Sequence, residues 1–421
     1  MACGFYKRSS KLLPSKFFDI LLYSASINGQ FSLGQLSGEA AMSYDIPITK
    51  QGLDSRFDEK AVCFVKSILG EVMANQIGEP LDPRFLSRFN KVRINVGTRF
   101  DLPQRLKENF PGFGGKITSD AAACVQYEFD LKNRCLLDLD ITSAKRTDYQ
   151  DAKEKVGQID KGDLVIRDLG YFSLYVLKSI AEKEAFFLSR LKPKMKVFDQ
   201  CSREVNFARL YANMVRNQMP RVHIQAFIGE KERFPVRMSI DLVPEGVYQK
   251  RILSVEKENK KKGRTTSEEF RIRARFNILV TNVPEEDLPV EDIYKLYKTR
   301  WQIELVFKIW KSTIGISKLQ PMKYHRFMCL LYAKFILFLV NSQIVGMIAR
   351  KLYNGERQLS IDKGMKTLQV YFNLTREMLK IPRLRLTGYV DTMYRLLAKN
   401  HWLEKRKNKV GLDEIFNVFC L

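Results

Sequence analysis

The hydrophobic period changes near residue 90, and that change limits the folds open to this chain. Upstream, residues 1 to about 88 read as helical, with segments near 15–27, 32–44 and 59–76. Downstream, KVRINV (91–96) alternates apolar and polar side chains, the period of a strand. A basic helical piece and the turn-rich FPGFGG (110–115) follow. Residues 122–131 and 135–141 are then two strand-like runs around a short polar turn, a β-hairpin. A helix is expected at 147–159, a strand at 163–168 and a helix at 173–190. The order strand, hairpin, helix, strand, helix describes a mixed sheet edged by a hairpin and continued by parallel strands that helices join.

Beyond this core, residues 192–270 alternate helix-like (203–217) and strand-like runs (221–228, 236–242, 251–255). The Lys-rich 256–265 reads as a linker that is either simply solvated or touches phosphate non-specifically. Residues 276–281 make a last core strand, and 321–421 are helical and basic. The expected organisation is a helical region at 1–88, a core from 89–191 and 271–320, a β-rich insertion at 192–270, and a helical region at 321–421. In the first region a Pro47 turn joins two helices, with Thr49 placed as an N-cap. Lys50, Gln51 and Arg56 would lie on the second of these. That is a helix-turn-helix able to contact DNA, or a plain helical hairpin.

Charge narrows the partner. Against 47 acids stand 71 Lys and Arg, a net charge of +24 spread along 421 residues. Such a surface calls for a polyanion, of which nucleic acid is the commonest for a soluble protein, although ribosomal and membrane-surface proteins are as basic. Seven Cys and three His form no CxxC pair or Cys/His cluster, which argues against structural zinc and suits a reducing cytoplasm. No secretory signal is evident. The greasiest stretch, 327–349, is broken by Lys334 and Asn341 and is expected to be a buried helix with no membrane role.

The stretch YKTRWQIELVFKIWK (297–311) carries the chemistry. Free of Gly and Pro, it should be helical, and at about 100° per residue Tyr297, Arg300, Glu304 and Lys311 fall within roughly a 60° arc. Apolar side chains flank that arc on both sides, whereas a solvated charged face normally lies opposite the apolar stripe. A carboxylate among cations and aromatics is suited to holding a metal against a phosphate, and an ordinary amphipathic helix with an i,i+4 pair is the plainer alternative. A second acid, Asp168, opens DLGYF just past the 163–168 strand, where α/β sheets place their chemistry. It could equally cap the helix that follows.

The spacing Y-x2-R-x3-E-x6-K resembles the signature of the YREK (IS-four-like) DDE transposases of bacterial insertion sequences, and all four positions match. The family's second catalytic Asp sits in a D-x-G-[YF] block similar to that at Asp168. The resemblance covers roughly 90–320. It implies an RNase H-like catalytic core, a mixed five-stranded sheet flanked by helices and carrying a β-rich insertion. It implies that Asp168 and Glu304 bind metal, two Mg²⁺ with Mn²⁺ as a substitute, and that Tyr297, Arg300 and Lys311 hold phosphates of the cleaved end. It also implies double-stranded DNA partners (inverted repeats and target), a homodimer on DNA, and action in the bacterial cytoplasm at the nucleoid.

One position departs from the family. Where it has a pattern similar to D-[SG]-T-x-F-x-L-P, this chain has VGTRFDLP (96–103), with Val96 in place of the first catalytic Asp. Valine cannot ligate a cation, and its presence removes a charge offsetting about a quarter of the four positives of two Mg²⁺. Asp101, Asn95 and Asp138 are weaker stand-ins. Three readings follow: a transposase impaired in cleavage, a catalytically dead protein that binds transposon ends, and an RNase H-like nuclease or resolvase.

Overall fold

The computed structural model describes residues 4–5, 11–26, 31–75, 86–115, 119–133, 135–300, 321–352, 359–379 and 383–402. It is a mixed α/β protein built on one large sheet. The strands are β1 (Val92–Asp101), β2 (Ala122–Asp130), β3 (Cys135–Ser143), β4 (Leu164–Arg167), β5 (Phe186–Arg190), β6 (Val197–Phe198), β7 (Arg221–Ile228), β8 (Phe234–Leu242) and β9 (Phe276–Thr281). Their order is β3-β2-β1-β4-β5-β9-β8-β7-β6. β1, β4 and β5 are parallel, while β2–β3, β5–β9, β8–β9, β7–β8 and β6–β7 are antiparallel. Two compact units divide the chain. One gathers the described residues of 1–81, 97–146 and 321 onward, the other those of 82–96 and 147–300.

In the second unit, α5 (Asp148–Lys155), α6 (Leu174–Glu182) and α7 (Phe207–Arg216) bury apolar side chains with one face of the sheet. Val165, Leu177, Phe187, Met214, Ile228 and Val280 belong to this single core. Capping sets the helix starts: Thr147 and Gln150 form a capping box on α5, and Ser173 accepts from Val176 N at the start of α6.

Two expectations for this unit need correction. The helix expected at 173–190 ends at Glu182. The chain turns through Glu184 in a left-handed conformation (φ 54°) and enters β5. Phe187 and Leu188 are both buried, on opposite faces of a central strand, and such an unbroken apolar run has no period that separates it from a buried helix. The strand-like 251–255 and the linker 256–265 are largely α8 (Glu245–Lys261), closed by Gly263 at φ 62°. Tyr248 and Ile252, four residues apart, supply its buried face against Phe270 and Ala274. With α9 (Glu268–Arg273), residues 192–270 therefore hold as many helices as strands, and β7 and β8 extend the main sheet.

The first unit contains α1 (Pro14–Ser26), α2 (Leu33–Tyr44), α3 (Lys50–Asp54), α4 (Glu59–Ala74), the β2–β3 hairpin and α11 (Tyr324–Leu352). α10, at 290–300, precedes it in the chain. By length and composition alone α11 could cross a membrane, but 89% of its most apolar window is buried in the protein. It packs against α1 and α4, and the Phe110 ring meets Tyr324 tilted and Phe327 edge-on, with centroids 5.7 and 5.6 Å away. Further on come α12 (Ile361–Val370), α13 (Phe372–Leu379) and α14 (Arg383–Asn400). Arg376 of α13 donates to Asp19 of α1 at 2.7 Å and to Glu39 of α2 at 2.8 Å.

Candidate active site at the strand ends

The register of three parallel strands builds the site. Asn95 pairs with Arg167, and Arg167 pairs with Ser189. The next residues along, Val96, Asp168 and Arg190, therefore stand abreast where β4 and β5 end. Side chains alternate in a strand, so these three share the face opposite Asn95 and Arg167. That opposite pair is buried, and Arg167 Nε donates to Asn95 Oδ1 at 3.0 Å, which holds the two strands in step. Asn95, expected as a weaker stand-in for an acid at position 96, does not face this row, since its carboxamide oxygen lies on the opposite face and is engaged. Asp101 closes β1 at an exposed position, and Asp138 lies on β3 opposite Glu128.

Asp168 continues β4 in extended conformation and leads into a short 3-10 turn, Leu169–Tyr171. It caps nothing: its side chain makes no cap hydrogen bond, and Ser173 caps α6. Its carboxylate is 45% exposed. Gly170 has an ordinary backbone conformation, so the turn does not require glycine for its dihedrals. What excludes a side chain is Asp148, because a Cβ at Gly170 would lie 2.5 Å from Asp148 Oδ2.

α10 delivers two of the residues singled out in the sequence. Arg300 Nη2 lies 3.7 Å from Asp168 Oδ1, and its guanidinium sits 5.5 Å from the Tyr297 ring centroid. Both residues are buried. Burial pushes the Tyr297 hydroxyl up to about 12, with Asp168 adding to the effect and Arg300 and Arg190 opposing it. The hydroxyl therefore keeps its proton at neutral pH and can donate a hydrogen bond. Glu304 and Lys311 lie outside the described residues. Among the described residues no three His, Cys, Asp or Glu side chains gather closely enough to hold a metal ion.

Arg190 is not found from the sequence, because residues 186–190 read there as the end of a helix. Nor is the Asn95–Arg167 pair, which only strand register reveals. In the first unit Thr49 caps α3 through Gly52 N at 3.1 Å, and Lys50 and Gln51 are exposed on that helix. α3 ends at Asp54, so Arg56 lies beyond the helix expected to carry it.

The profile described as Transposase DDE domain matches residues 123–340, a span that takes in Asp168, Tyr297 and Arg300 and starts downstream of Val96. The chain is 29% identical to the transposase of insertion sequence element IS231F of Bacillus thuringiensis subsp. israelensis, over 98% of this chain and 90% of that protein. It is 28% identical to the transposase of IS1151 of Clostridium perfringens, over 87% of this chain and 81% of that one. A shorter match, 37% identical over 90 residues, is to the putative transposase InsL of IS186A in Escherichia coli strain K12, covering 21% of this chain and 24% of that one. The chain belongs to the DDE transposases of bacterial insertion sequences, in their IS-four-like group.

Proposed function

We propose that this transposase binds the terminal inverted repeats of its element and is impaired in the cleavage that DDE enzymes perform with divalent metal. The observation that carries this reading is the row at the strand ends: Arg300 reaches both Asp168 and the Tyr297 ring, and the residue abreast of Asp168 on β1 is a valine. The β3-β2-β1-β4-β5 order, with a hairpin at its edge and three parallel strands, supports an RNase H-like core spanning 89–191 and 271–320.

In this reading Asp168 and Glu304 are the remaining metal-binding acids, and Tyr297, Arg300 and Lys311 hold phosphates of the transposon end. The donors fit a two-ion clamp poorly. Asp168 is the one acid among the described residues of the strand-end row, and it stands beside the Arg300 guanidinium with an apolar side chain in the first acid's place. No hydrolytic step is therefore assigned to a bound metal. The chain's own residues are fitted to hold an anion: Arg300 and the protonated Tyr297 hydroxyl supply buried, charge-assisted donors. Lys50 on α3 and Arg56 just past it would contact the duplex from the 1–88 region, and a homodimer on DNA in the bacterial cytoplasm completes the assignment.

A gel shift with duplex inverted repeat, followed on a denaturing gel in Mg²⁺, tests the reading. The expected outcome is a sequence-specific shift with little or no nicking. Cutting of branched junctions in preference to the repeats would favour a resolvase and contradict the assignment. Normal nicking by the unmodified chain would show that Val96 does not occupy the acid's place.

A further inference from the structure

Arg190 also borders a second feature. With Leu169, the residue after Asp168, it lines a cavity of about 460 Å³ between the ends of β5 and β9 and α8. The floor is apolar, including Phe270, Phe276 and Ile278. Around it stand Arg190, Lys192, Lys250, Arg251 and Arg273, and no acid lines it. Two of these cations are built into the wall. Arg251 donates to the carbonyls of Ala274 and Phe276 at 3.1 and 3.2 Å, and Arg273 to that of Pro193 at 3.0 Å. The other three are differently placed: among the described residues, Arg190, Lys192 and Lys250 have no carboxylate within ion-pair distance. Like charges crowded without an acid repel one another. Burial, and the charge of Arg190 beside it, hold Arg251 below the usual guanidinium range. A polyanion would relieve that repulsion.

We propose that this groove is a phosphodiester track, which takes the DNA strand leaving the Asp168 row and holds it without a divalent cation. The proposal rests on the transposase reading and adds to it the residues Arg190, Lys192 and Lys250. Metal independence follows from the charge of the row, where Arg300 lies 3.7 Å from Asp168 and Val96 adds no negative charge. α8 thereby becomes a wall of the DNA path in a stretch whose composition reads as a solvated linker.

The test is fluorescence anisotropy with labelled inverted-repeat duplex and the full chain, in EDTA and in Mg²⁺, across a salt series. Lys250→Gln and Arg190→Gln are compared with Lys257→Gln, which removes an exposed charge from α8 outside the groove. Lys250 is exposed, so its variant should fold whatever the fate of Arg190→Gln. The expected result is the same affinity in EDTA and Mg²⁺. Each groove variant should bind roughly five- to tenfold more weakly, with a salt slope shallower by about 0.9, and Lys257→Gln should match the parent. Equal losses in all three variants would mean diffuse attraction by net charge and would overturn the track. So would groove variants that bind like the parent, or binding abolished by EDTA. A parent chain that prefers the repeat no more than a scrambled duplex would overturn the end-binding reading and leave the track to the groove variants, which separates the two failures.

Discussion

At Gly170 one methyl group would disturb the turn that carries Asp168. The added Cβ would sit 2.5 Å from Asp148 Oδ2 and 3.3 Å from Asp148 Cβ, so the carboxylate must move aside. Gly170→Ala should cost on the order of 1 kcal/mol or more. In the double variant with Asp148→Ala the 2.5 Å contact to the carboxylate is gone and only the tight one to Cβ remains, so the combined loss should fall short of the sum of the single losses, as read from urea denaturation. Additive losses would mean the two residues do not touch. Lys334, buried on α11 beside the Ala25 carbonyl at 3.3 Å, poses a titration instead. Burial lowers its pKa to about 8, from about 10.5 when exposed. The folded state therefore binds fewer protons than the unfolded chain between those values, and stability should rise with pH across the window. At pH 7 the buried charge costs on the order of 3 kcal/mol, a cost absent above about pH 10.5. Lys334→Met should raise the urea midpoint at pH 7 and gain much less near pH 10. A gain independent of pH would contradict the assignment.

At the scale of elements, caps and short strands behave differently. Ser32 and Gln35 form a reciprocal capping box on α2, with bonds of 3.2 and 2.8 Å. Ser32→Ala should lower stability by about 1 kcal/mol in thermal or urea unfolding. Where a local signal of this kind exists, the element is legible in the sequence: the β2–β3 hairpin, β4, β7 and β9 lie within two residues or so of their expected spans. β5 is not legible, because its burial comes from neighbours on both sides of the sheet and its entry turn uses Glu184 where glycine would have announced it. α8 is not legible either, since its face rests on contacts to Phe270 and Ala274 some twenty residues away. The site divides the same way. Asp168, Tyr297 and Arg300 are readable from spacing, whereas Arg190 and the Asn95–Arg167 lock depend on strand register, which a sequence does not display.

For the molecule as a whole, the net charge of +24 sets a long-range attraction to DNA that salt should weaken steeply. Attraction alone gives no chemistry, and the account turns on the residue abreast of Asp168. The most direct measurement is Mg²⁺-dependent nicking of inverted-repeat DNA by the unmodified chain, by Val96→Asp, and by Val96→Asp combined with Asp168→Asn. The account predicts weak nicking by the first, a gain of roughly a hundredfold or more in the second, and loss of that gain in the third. Robust nicking by the unmodified chain, or a Val96→Asp variant that folds, binds the repeat and still does not cut, would contradict it.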